Sequence, residues 1–349
     1  MSKEIYILHK SGANSHYSGL KFLLESHNGK LHYREFSIIS KLLKSVIKLK
    51  PKLFYKQLIN ILFLIKLLFT KNKKIVIGIA PFDLKLTRLL PLLKRHQIYY
   101  HTSWANWDGS FVPKSKNTST DLKNKWSFFL KEQVKHIFAV TNTSKQELIT
   151  HYKIDFSKIS VVNHSFNPKE LIYDQSNTSD TLSFLYVGRL LQEKGVAEML
   201  EYFSKHPDKI LTLVGKGKLE DLVTSYAKQY TNIIYKGYIH DKKELSKIGN
   251  RHHFILNNSK RTKKWEELFG MALIEGMALG LIPIGVNHPG PNEIISNEVG
   301  YLFQEGELEE KLNSIEKVDF DKKQKSHLRS KQYTIEAISE KWVEILESF

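Results

Sequence analysis

Short apolar runs alternate with amphipathic stretches along the whole chain of 349 residues. Runs rich in β-branched and aromatic residues predict strands, and apolar positions three and four residues apart predict helices between them. Predicted strands of the first half lie at 4–9, 30–36, 74–80, 98–102, 136–141 and 159–163. Those of the second half lie at 182–188, 210–215, 232–237, 253–258 and 281–286. Strands separated by helices predict parallel sheets with helices on both faces.

A polar stretch at 168–181, PKELIYDQSNTSDT, separates the two halves. Because the strand–helix alternation lapses there and then resumes, we predict two doubly wound, Rossmann-like α/β domains at 1–170 and 171–330. The amphipathic pattern of 331–349 predicts a long helix that packs back towards the first domain. Ligands of such sheets bind at the carboxyl ends of the strands, so we expect the site in a cleft between two facing domains.

Composition excludes several classes of protein. Apolar residues make up 41% of the chain, enough for sizeable cores, and there are no cysteines, which excludes disulfides, zinc–thiolate sites and thiol catalysis. The start, MSKEIYILHK, lacks the apolar core of a signal peptide. The longest apolar run, 58–69, is interrupted by Lys66 and is shorter than the roughly 20 residues that cross a bilayer. These features predict a cytoplasmic protein.

The net charge of +17 is distributed unevenly. Residues 1–175 contain 29 lysines and arginines against 11 acids, whereas residues 176–349 contain 24 against 25. A one-sided basic surface favours an anionic partner such as nucleic acid, an acidic membrane or a phosphorylated substrate. A bias of codon usage towards lysine is the alternative explanation.

The first candidate site motif is YVGRLLQEKG at 186–195, which follows a predicted strand. Arg189 and Lys194 lie five residues apart across a loop that leads into a helix, so both can converge on one anion at the helix N-terminus. A guanidinium fork and an ammonium point charge together suit a diphosphate. Ordinary solvated side chains on a loop are the alternative.

Two further glycine motifs follow strands of the second half. LVGKGKLE at 213–220 places Gly215 in a Gly-x-Gly pattern that can let a backbone approach a ligand, or can form a plain tight turn. In YKGYIHD at 235–241, the backbone of Tyr238 and Ile239 can edge a flat base. Each pattern is weak when taken alone.

The segment EELFGMALIE at 266–275 carries a carboxylate near each end of an apolar run. If a helix begins near Gly270, free N–H groups at 269–271 can hold sugar hydroxyls or a phosphate. Glu267 then lies just before the helix and Glu275 about two turns into it. Carboxylates accept hydrogen bonds from vicinal hydroxyls, so the pair can bind a ribose and a hexose. A capping acid and a surface acid are the alternative, although apolar neighbours make an unpaired Glu275 unfavourable.

These motifs, together with HPGPNEII at 288–295, resemble in order and spacing the retaining nucleotide-sugar glycosyltransferases of the GT-B fold, family 4. The resemblance covers the whole second half. It implies that Arg189 and Lys194 hold the donor diphosphate, that Glu275 binds the ribose hydroxyls and that Glu267 contacts the transferred sugar. The backbone of Phe269, Gly270 and Met271 would also bind the donor.

The first half matches this family more loosely. SGANSHYSG at 11–19 stands where the family has a glycine-containing loop near donor and acceptor, which implicates Gly12 in donor binding. YYHTSW at 99–104 resembles the family's histidine after a central strand, which implicates His101 beside the reacting centre. A structural role for that histidine is the alternative.

Two local departures from the family pattern stand out. VVNHSFNP at 161–168 lacks the expected asparagine–glycine turn. NNSKRTKKWEE at 257–267 has seven residues between Ser259 and Glu267, more than the family commonly has. This basic insertion borders the expected site and can alter donor or acceptor specificity.

The resemblance also implies a mechanism. A nucleoside diphosphate departs while Arg189 and Lys194 stabilise the developing charge, and the acceptor attacks from the same face, so no enzymic nucleophile is required. We expect neither a cofactor nor a metal, because two cations take the metal's place and the donor itself is a nucleotide-sugar substrate. Asp319 and Asp321 form an Asp-x-Asp pattern away from any predicted strand end, where metal binding is not favoured.

The acceptor side rests on two observations. Residues 41–74 carry ten lysines and no acid, interleaved with leucine, isoleucine and phenylalanine at helical spacing. This pattern favours attachment to the anionic inner face of a membrane, or two ordinary helices with lysines outward. Trp104 and Trp107, in a predicted loop at 101–109, can stack on an acceptor sugar or fill the core at the loop base.

The sequence therefore predicts a retaining hexosyl- or N-acetylhexosaminyltransferase that uses a nucleoside-diphosphate sugar, with UDP favoured, and a glycan or lipid-linked acceptor in cell-surface polysaccharide synthesis. A nucleotide-sugar-modifying enzyme of the same fold, such as an epimerase, is one alternative. A basic nucleic-acid-binding protein is the other, although it would not explain the paired glutamates, and we expect no nucleic-acid partner.

Overall fold

The computed structural model describes residues 3–346, apart from 11, 110–118, 175, 176, 178 and 264. The chain divides into two compact units. Unit 1 contains the chain up to Ser165 and again from Glu336 onward, and unit 2 contains Phe166–Ile335. The boundaries therefore lie five residues before the predicted 170 and five residues after the predicted 330.

Unit 1 is built on a six-stranded parallel sheet in the order β2-β1-β3-β4-β5-β6. All six predicted strands are present: β1 (Glu4–His9), β2 (Lys30–Glu35), β3 (Lys74–Gly78), β4 (Gln97–Thr102), β5 (Val134–Ala139) and β6 (Ile159–Val161). The helices between them are α1 (Ser18–Ser26), α2 (Ile39–Ile47), α3 (Pro51–Phe69), α4 (Lys85–Leu93), α5 (Thr120–Phe128) and α6 (Asn142–Tyr152).

Unit 2 repeats this plan, with a parallel sheet in the order β12-β11-β10-β7-β8-β9. Its strands are β7 (Ser183–Val187), β8 (Ile210–Val214), β9 (Ile233–Tyr235), β10 (Phe254–Asn257), β11 (Ile282–Val286) and β12 (Tyr301–Phe303). Its helices are α7 (Val196–Lys205), α8 (Glu220–Gln229), α9 (Lys242–Gly249), α10 (Met271–Ala278), α11 (Pro289–Ile294), α12 (Leu308–Asn313) and α13 (Phe320–Ser330). The sequence pattern missed β12, which has only three residues.

The apolar runs form strands because both faces of each sheet are covered. Ile5, Ile7, Val76 and Phe138 of unit 1 are fully buried, as are the central strand residues of unit 2. Parallel sheets with helices on both faces produce such continuous apolar strands instead of a strict polar alternation. The resulting strand ends carry the candidate site residues.

The C-terminal segment does not form the predicted long helix. After α13 the chain forms a short 3-10 turn at Lys331–Tyr333, then α14 (Ile335–Ser339) and a 3-10 stretch at Glu340–Ile345. Thr334 interrupts the helix because its backbone is extended and pairs with Phe166. Beyond this break the chain joins the core of unit 1 through Trp342, whose ring lies 4.4 Å from that of Phe138.

Within the described ranges, no helix combines the length and the apolar character that a membrane crossing requires. The helix α3 has 19 residues and includes the predicted apolar run.

Candidate active site

Glycine shapes the loop that follows β7. Gly195 immediately precedes α7 and has a backbone φ of +63°, in the left-handed region. A side chain there would also collide with Asn258, since a Cβ atom would lie 2.1 Å from its carbonyl oxygen. Asn258 donates a hydrogen bond from Nδ2 to the Gly195 carbonyl. This close approach fixes Lys194, the preceding residue, against the end of β10.

Lys194 and Glu267 form an ion pair in which Nζ lies 2.5 Å from Oε2. Both side chains are largely buried, with 15% and 13% of their surfaces exposed. The same carboxylate oxygen accepts hydrogen bonds from Asn257 Nδ2 at 3.2 Å and Ser259 Oγ at 3.0 Å. Asn257 is the last residue of β10, so this cluster sits at the carboxyl end of a central strand.

These three donors determine the charge state of Glu267. Burial alone would raise the pKa of its carboxyl, but the Lys194 ammonium and the hydrogen bonds from Asn257 and Ser259 lower the pKa below its ordinary value. The group is therefore a carboxylate at neutral pH. In the described part of the chain, Oε1 of Glu267 has no hydrogen-bond donor. That oxygen can accept a hydroxyl of a ligand.

Arg189 lies in the same loop as Lys194. Tyr186 donates a hydrogen bond from Oη to the Arg189 carbonyl at 2.7 Å. Burial raises the pKa of the Tyr186 phenol, the charge of Glu267 raises it further and that of Arg189 opposes this rise, so the two charged groups are neighbours of one tyrosine. Among the described residues, no acid forms an ion pair with the Arg189 guanidinium.

The helix α10 begins at Met271, immediately after Gly270, close to the predicted start. Gly270 has a φ of +119°, which favours glycine over any side chain. Within the ranges that the structure describes, the N–H groups of Gly270 and Met271 have no acceptor. Phe269 is buried and its ring packs edge-on against Tyr333 at 6.0 Å, so its side chain anchors the helix start.

Glu275, which lies about one turn into α10 instead of the predicted two, forms a second lysine–glutamate pair. Its Oε1 lies 2.5 Å from Nζ of Lys242, the first residue of α9. The carboxylate is 14% exposed and the lysine 37% exposed. As with Glu267, the other carboxylate oxygen accepts no hydrogen bond from a described residue.

The glycine motif at 213–220 is explained by packing within the protein. A Cβ atom on Gly215 would lie 1.8 Å from the Gly188 carbonyl, and one on Gly217 would lie 2.3 Å from the Leu190 carbonyl. Backbone hydrogen bonds join the two loops, from Leu190 to Lys216 and from Leu219 to Leu190. The tight turn is therefore the interpretation that the geometry supports, with Gly215 bracing the loop that carries Arg189.

The predicted base-binding segment lies at the surface of unit 2. The Tyr238 side chain is exposed and the Lys216 ammonium lies 4.4 Å from its ring centroid. Ile239 is half-buried. Gly237 has a φ of +66° and has no neighbouring atom within 4 Å of a Cβ position, so the segment is open.

In unit 1, His101 is buried at the carboxyl end of β4. Three aromatic rings lie close to its ring: the centroid distances are 5.0 Å to Tyr17, 5.9 Å to His164 and 5.4 Å to Trp342. Burial, aided by the charges of nearby histidines, lowers the pKa of His101 far below its ordinary value. The ring is therefore neutral at pH 7, and its Nε2 has no hydrogen-bond partner in the described chain.

Gly12, the other first-half candidate, follows β1 and has a φ of +95°. A Cβ atom at this position would lie 3.2 Å from Asn14 Oδ1 and 3.8 Å from Glu35 Oε1. The glycine therefore lies beside the buried carboxylate at the end of β2.

Trp104 and Trp107 are not on an open surface, and the acceptor-stacking interpretation is corrected. Trp107 is 2% exposed and packs edge-on against Tyr100 and Tyr152. Trp104 is also buried and donates from Nε1 to the Asn106 carbonyl at 2.6 Å. Large aromatic rings gain most by burial at the base of this loop, which is the core alternative.

Asp319 and Asp321 have local roles in α13. Asp319 caps the helix by accepting a hydrogen bond from the Lys322 N–H at 2.9 Å. Asp321 pairs with Lys325 at 2.7 Å.

Sequence reasoning missed four residues of this site: Lys242, Asn257, Ser259 and Trp265. Asn257 lies near the end of a predicted strand and Ser259 directly after it, so the rule that sites form at strand ends could have identified them. Lys242 contacts Glu275 from 33 residues away, and no local pattern marks it. Trp265 lies in the insertion, with the Lys194 ammonium 4.4 Å from its ring centroid.

Two family models match consecutive parts of the chain. Glycosyltransferase Family 4 matches residues 23–170, and Glycosyl transferases group 1 matches residues 169–335. The second match contains every candidate residue of unit 2.

Curated relatives are distant in sequence. The chain is 22% identical over 226 residues to a subunit of the human phosphatidylinositol N-acetylglucosaminyltransferase, covering 60% of this chain and 44% of the relative. It is 24% identical over 204 residues to the Staphylococcus aureus capsular polysaccharide biosynthesis glycosyltransferase CapM, covering 54% of this chain and 50% of the relative. The chain thus spans about half the length of these relatives.

Solved structures share the fold over nearly the whole chain. Anabaena HepE in complex with UDP superposes with a TM-score of 0.67 at 15% identity, and the match covers 99% of this chain and 100% of HepE. The structure contains two parallel six-stranded sheets with helices. Together with this structural similarity, the sheets confirm the predicted GT-B architecture. With both family models matched in order, the chain belongs to the group 1 (family 4) glycosyltransferases.

Proposed function

We propose that this protein is a retaining glycosyltransferase that moves a hexose or N-acetylhexosamine from a nucleoside-diphosphate sugar, with a UDP-sugar favoured, to a glycan or lipid-linked acceptor in cell-surface polysaccharide synthesis. The Lys194–Glu267 pair carries this proposal. It combines an ammonium with a carboxylate oxygen that no described residue uses, at the start of α10. One site thereby offers a cation for phosphate and an acceptor for a sugar hydroxyl.

The cations of this loop suit a departing diphosphate. Lys194 Nζ has three N–H donors and gives one to Glu267, which leaves donors for a phosphate oxygen. Arg189 adds a guanidinium that forms no ion pair with a described acid. In a largely dehydrated site, such charges stabilise a developing phosphate charge more strongly than they would in water. The proposed reaction therefore uses no metal.

The proposed chemistry conserves atoms and charge without an enzymic nucleophile. The bond between the anomeric carbon and the β-phosphate oxygen breaks, and the acceptor oxygen bonds to that carbon on the same face. The acceptor proton passes to the departing phosphate. Glu267 orients the sugar through Oε1, and Glu275 binds the ribose hydroxyls through the oxygen that Lys242 does not contact.

Similar proteins support the donor and acceptor classes. HepE has been solved with UDP and with UDP-glucose, which favours a UDP-sugar for this chain. The names of CapM and of the human relative refer to capsular polysaccharide and to phosphatidylinositol. They favour an acceptor that is a surface glycan or is linked to a lipid.

Removal of the Arg189 charge tests the diphosphate assignment. We expect Arg189→Ala to lower kcat for sugar transfer or donor hydrolysis by about 10²–10³-fold, as for loss of one transition-state donor elsewhere. The wild-type donor is first identified by thermal shift with UDP, GDP and their sugars. Arg251→Ala is a matched control, because it removes another unit 2 arginine that is solvent-exposed and outside the candidate site.

Equal turnover by wild type and Arg189→Ala contradicts the proposed diphosphate site. A thermal shift with nucleic acid, and none with UDP or GDP, favours the nucleic-acid alternative instead. Release of an epimerised nucleotide-sugar with no transfer favours the nucleotide-sugar-modifying alternative.

We also propose that the α2–α3 hairpin attaches the protein to an anionic membrane surface. The two helices expose an apolar face made of Ile39, Leu43, Val46, Ile47, Leu49, Phe54, Tyr55, Leu58, Leu62, Ile65, Leu68 and Phe69. Their buried side includes the polar Ser45, Gln57 and Asn60 as well as the apolar Phe63 and Leu67. An ordinary surface helix turns its apolar residues inward and its polar residues outward, whereas these helices also expose an apolar patch, and a patch of this extent indicates an interaction site.

Charge around this apolar face favours a lipid surface as the partner. Four lysines are exposed at and near the turn between α2 and α3, namely Lys44, Lys48, Lys50 and Lys52. Each lysine near an anionic leaflet contributes on the order of 1 kcal/mol, and apolar side chains add to binding when they enter the interface. Lys41 and Lys56 have a different role, because both form ion pairs with the buried Glu35.

Co-sedimentation with vesicles separates these contributions. We expect wild type to bind vesicles that contain phosphatidylglycerol and to bind pure phosphatidylcholine much less. Ile47→Gln combined with Leu49→Gln should weaken binding about tenfold or more, since two strongly exposed apolar side chains are lost. Leu84→Gln is the matched control, an exposed leucine of unit 1 outside the hairpin.

Charge reversal at Lys44, Lys48 and Lys52 should remove the dependence on anionic lipid. Binding of the wild type that is independent of lipid charge, or equal binding by all of these variants, contradicts the membrane proposal.

A further inference from the structure

The insertion between Ser259 and Glu267 is held by its own basic residues. Lys260 pairs with Glu198, and the Arg261 backbone N–H donates to Glu305 Oε1 at 2.8 Å. The Arg261 guanidinium also lies 3.2 Å from Glu266 Oε2. The Lys260–Glu198 pair and the Arg261 N–H thus tie the segment to the rest of unit 2, and the Arg261–Glu266 pair braces it internally.

This anchoring places Trp265 against the candidate site. The Thr262 N–H donates to the Trp265 carbonyl at 2.8 Å, and the two residues form an antiparallel bridge. The half-buried indole ring then lies beside Lys194, whose ammonium is 4.4 Å from the ring centroid. Lys194 is therefore contacted by the Glu267 carboxylate and by the indole.

We propose that Trp265 is a positioning residue that directs Lys194 towards the donor diphosphate, a role that rests on the proposed function. A lysine has a long flexible side chain, and a carboxylate alone would fix its ammonium from one direction only. A cation–π contact with tryptophan, the strongest of the aromatic residues in this respect, restricts it from a second direction. The insertion thereby supplies through Trp265 an element of the Lys194 site.

Three substitutions separate a cation–π contact from simple packing. We expect Trp265→Ala to lower kcat about 3- to 30-fold, the range that corresponds to one partly desolvated cation–π contact. Trp265→Phe keeps an aromatic face and should retain most of the activity. Trp265→Leu keeps apolar bulk without that face and should resemble Trp265→Ala. Tyr301→Leu is a matched control, because it removes a Lys322 cation–π contact outside the candidate site and should leave kcat unchanged.

A double-mutant cycle with Lys194→Met tests whether Trp265 acts through Lys194. We expect Trp265→Ala to have little further effect on kcat once the ammonium is absent. Additive losses overturn the positioning role, as does wild-type turnover by both Trp265→Ala and Trp265→Leu.

The same cycle measured by thermal unfolding gives a readout that does not depend on activity. Non-additive changes in Tm are expected if the two side chains interact, and additive changes overturn the contact itself. If wild type neither binds UDP or GDP nor transfers sugar, the proposed function fails. The unfolding cycle then decides the Trp265–Lys194 contact separately.

Discussion

Each glutamate of the candidate site gives one carboxylate oxygen to a lysine and leaves the other without a described donor. A buried carboxylate with no partner would be costly, so each lysine compensates a carboxylate without consuming its full hydrogen-bonding capacity. The remaining oxygen can accept strong, charge-assisted hydrogen bonds from hydroxyls. This arrangement suits polyol binding better than a fully satisfied structural ion pair.

Replacement of Glu275 tests the ribose assignment at the level of one residue. Glu275→Gln keeps the shape but removes the charge, so we expect UDP to bind about 10- to 100-fold more weakly, as for loss of charged hydrogen bonds. The affinity for UMP should fall by a similar factor, because UMP contains the same ribose. Arg189→Ala should instead affect UDP more than UMP. Isothermal titration calorimetry measures all four values, and unchanged UMP affinity in Glu275→Gln contradicts the assignment.

Residue-level prediction depends on features that are local in sequence. Glu267 and Glu275 stand out because carboxylates among apolar residues need a reason to be there. The contacts of Lys242 with Glu275 and of the Trp265 ring with Lys194 were not predictable, since contacts across many residues leave no periodic signal. Trp104 and Trp107 show the converse limit: an aromatic pair in a loop motif is compatible with either a sugar platform or a core, and only packing decides between them.

At the scale of elements, apolar periodicity predicted all the described strands except β12. The missed strand, Tyr301–Phe303, has three residues, but β6 and β9 are equally short, so length alone does not explain its omission. The C-terminal pattern was correctly amphipathic, but the break at Thr334 depends on a bridge to Phe166, 168 residues earlier. Pairing over such a distance cannot be inferred from local propensity.

The hairpin of α2 and α3 shows what a helical pattern leaves open. Periodicity predicted two amphipathic helices, but it does not say which face is buried. Glu35 explains the observed orientation, since its buried carboxylate accepts hydrogen bonds from Lys41, Lys56 and Gln57. Its backbone N–H also donates to Asn60 Oδ1 at 3.1 Å. Several polar side chains are thus directed inward towards one charge, while Phe63 and Leu67 fill the apolar part of the interface and a further apolar face is left exposed.

For the whole molecule, the excess positive charge belongs to the first half of the chain, whereas most motifs of the family resemblance lie in the second. Net charge could be predicted from composition, and it favours an anionic partner without specifying one.

Buried histidines are a second whole-chain property. Burial lowers the pKa of His101 and His164 in unit 1 and of His252 and His253 in unit 2.

These histidines predict that stability declines as the pH falls. Each pKa is lower in the folded protein than the ordinary 6.5, so the unfolded chain binds more protons in that interval. Above about pH 6.5 the histidines should not lower the free energy of unfolding. Below that pH, each histidine should lower the free energy of unfolding by at most about 1.4 kcal/mol per pH unit. Carboxylates with lowered pKa values, such as Glu267, contribute only at more acidic pH, below about 4.5.

His253 provides the specific test of this dependence. Burial, followed by the charges of Lys323 and His252, lowers its pKa to about 4, and a backbone hydrogen bond involving Thr181 only partly opposes this. The ring is fully buried beside Ser183 Oγ, 3.0 Å from its Nδ1. His253→Asn removes the titrating group, so we expect a lower Tm than wild type at pH 7.5 but a smaller loss between pH 6.5 and 4.5. Thermal unfolding across this range measures both slopes. Equal slopes would show that the proton enters elsewhere, whereas a flatter slope in His253→Asn assigns part of the acid sensitivity to the core of unit 2.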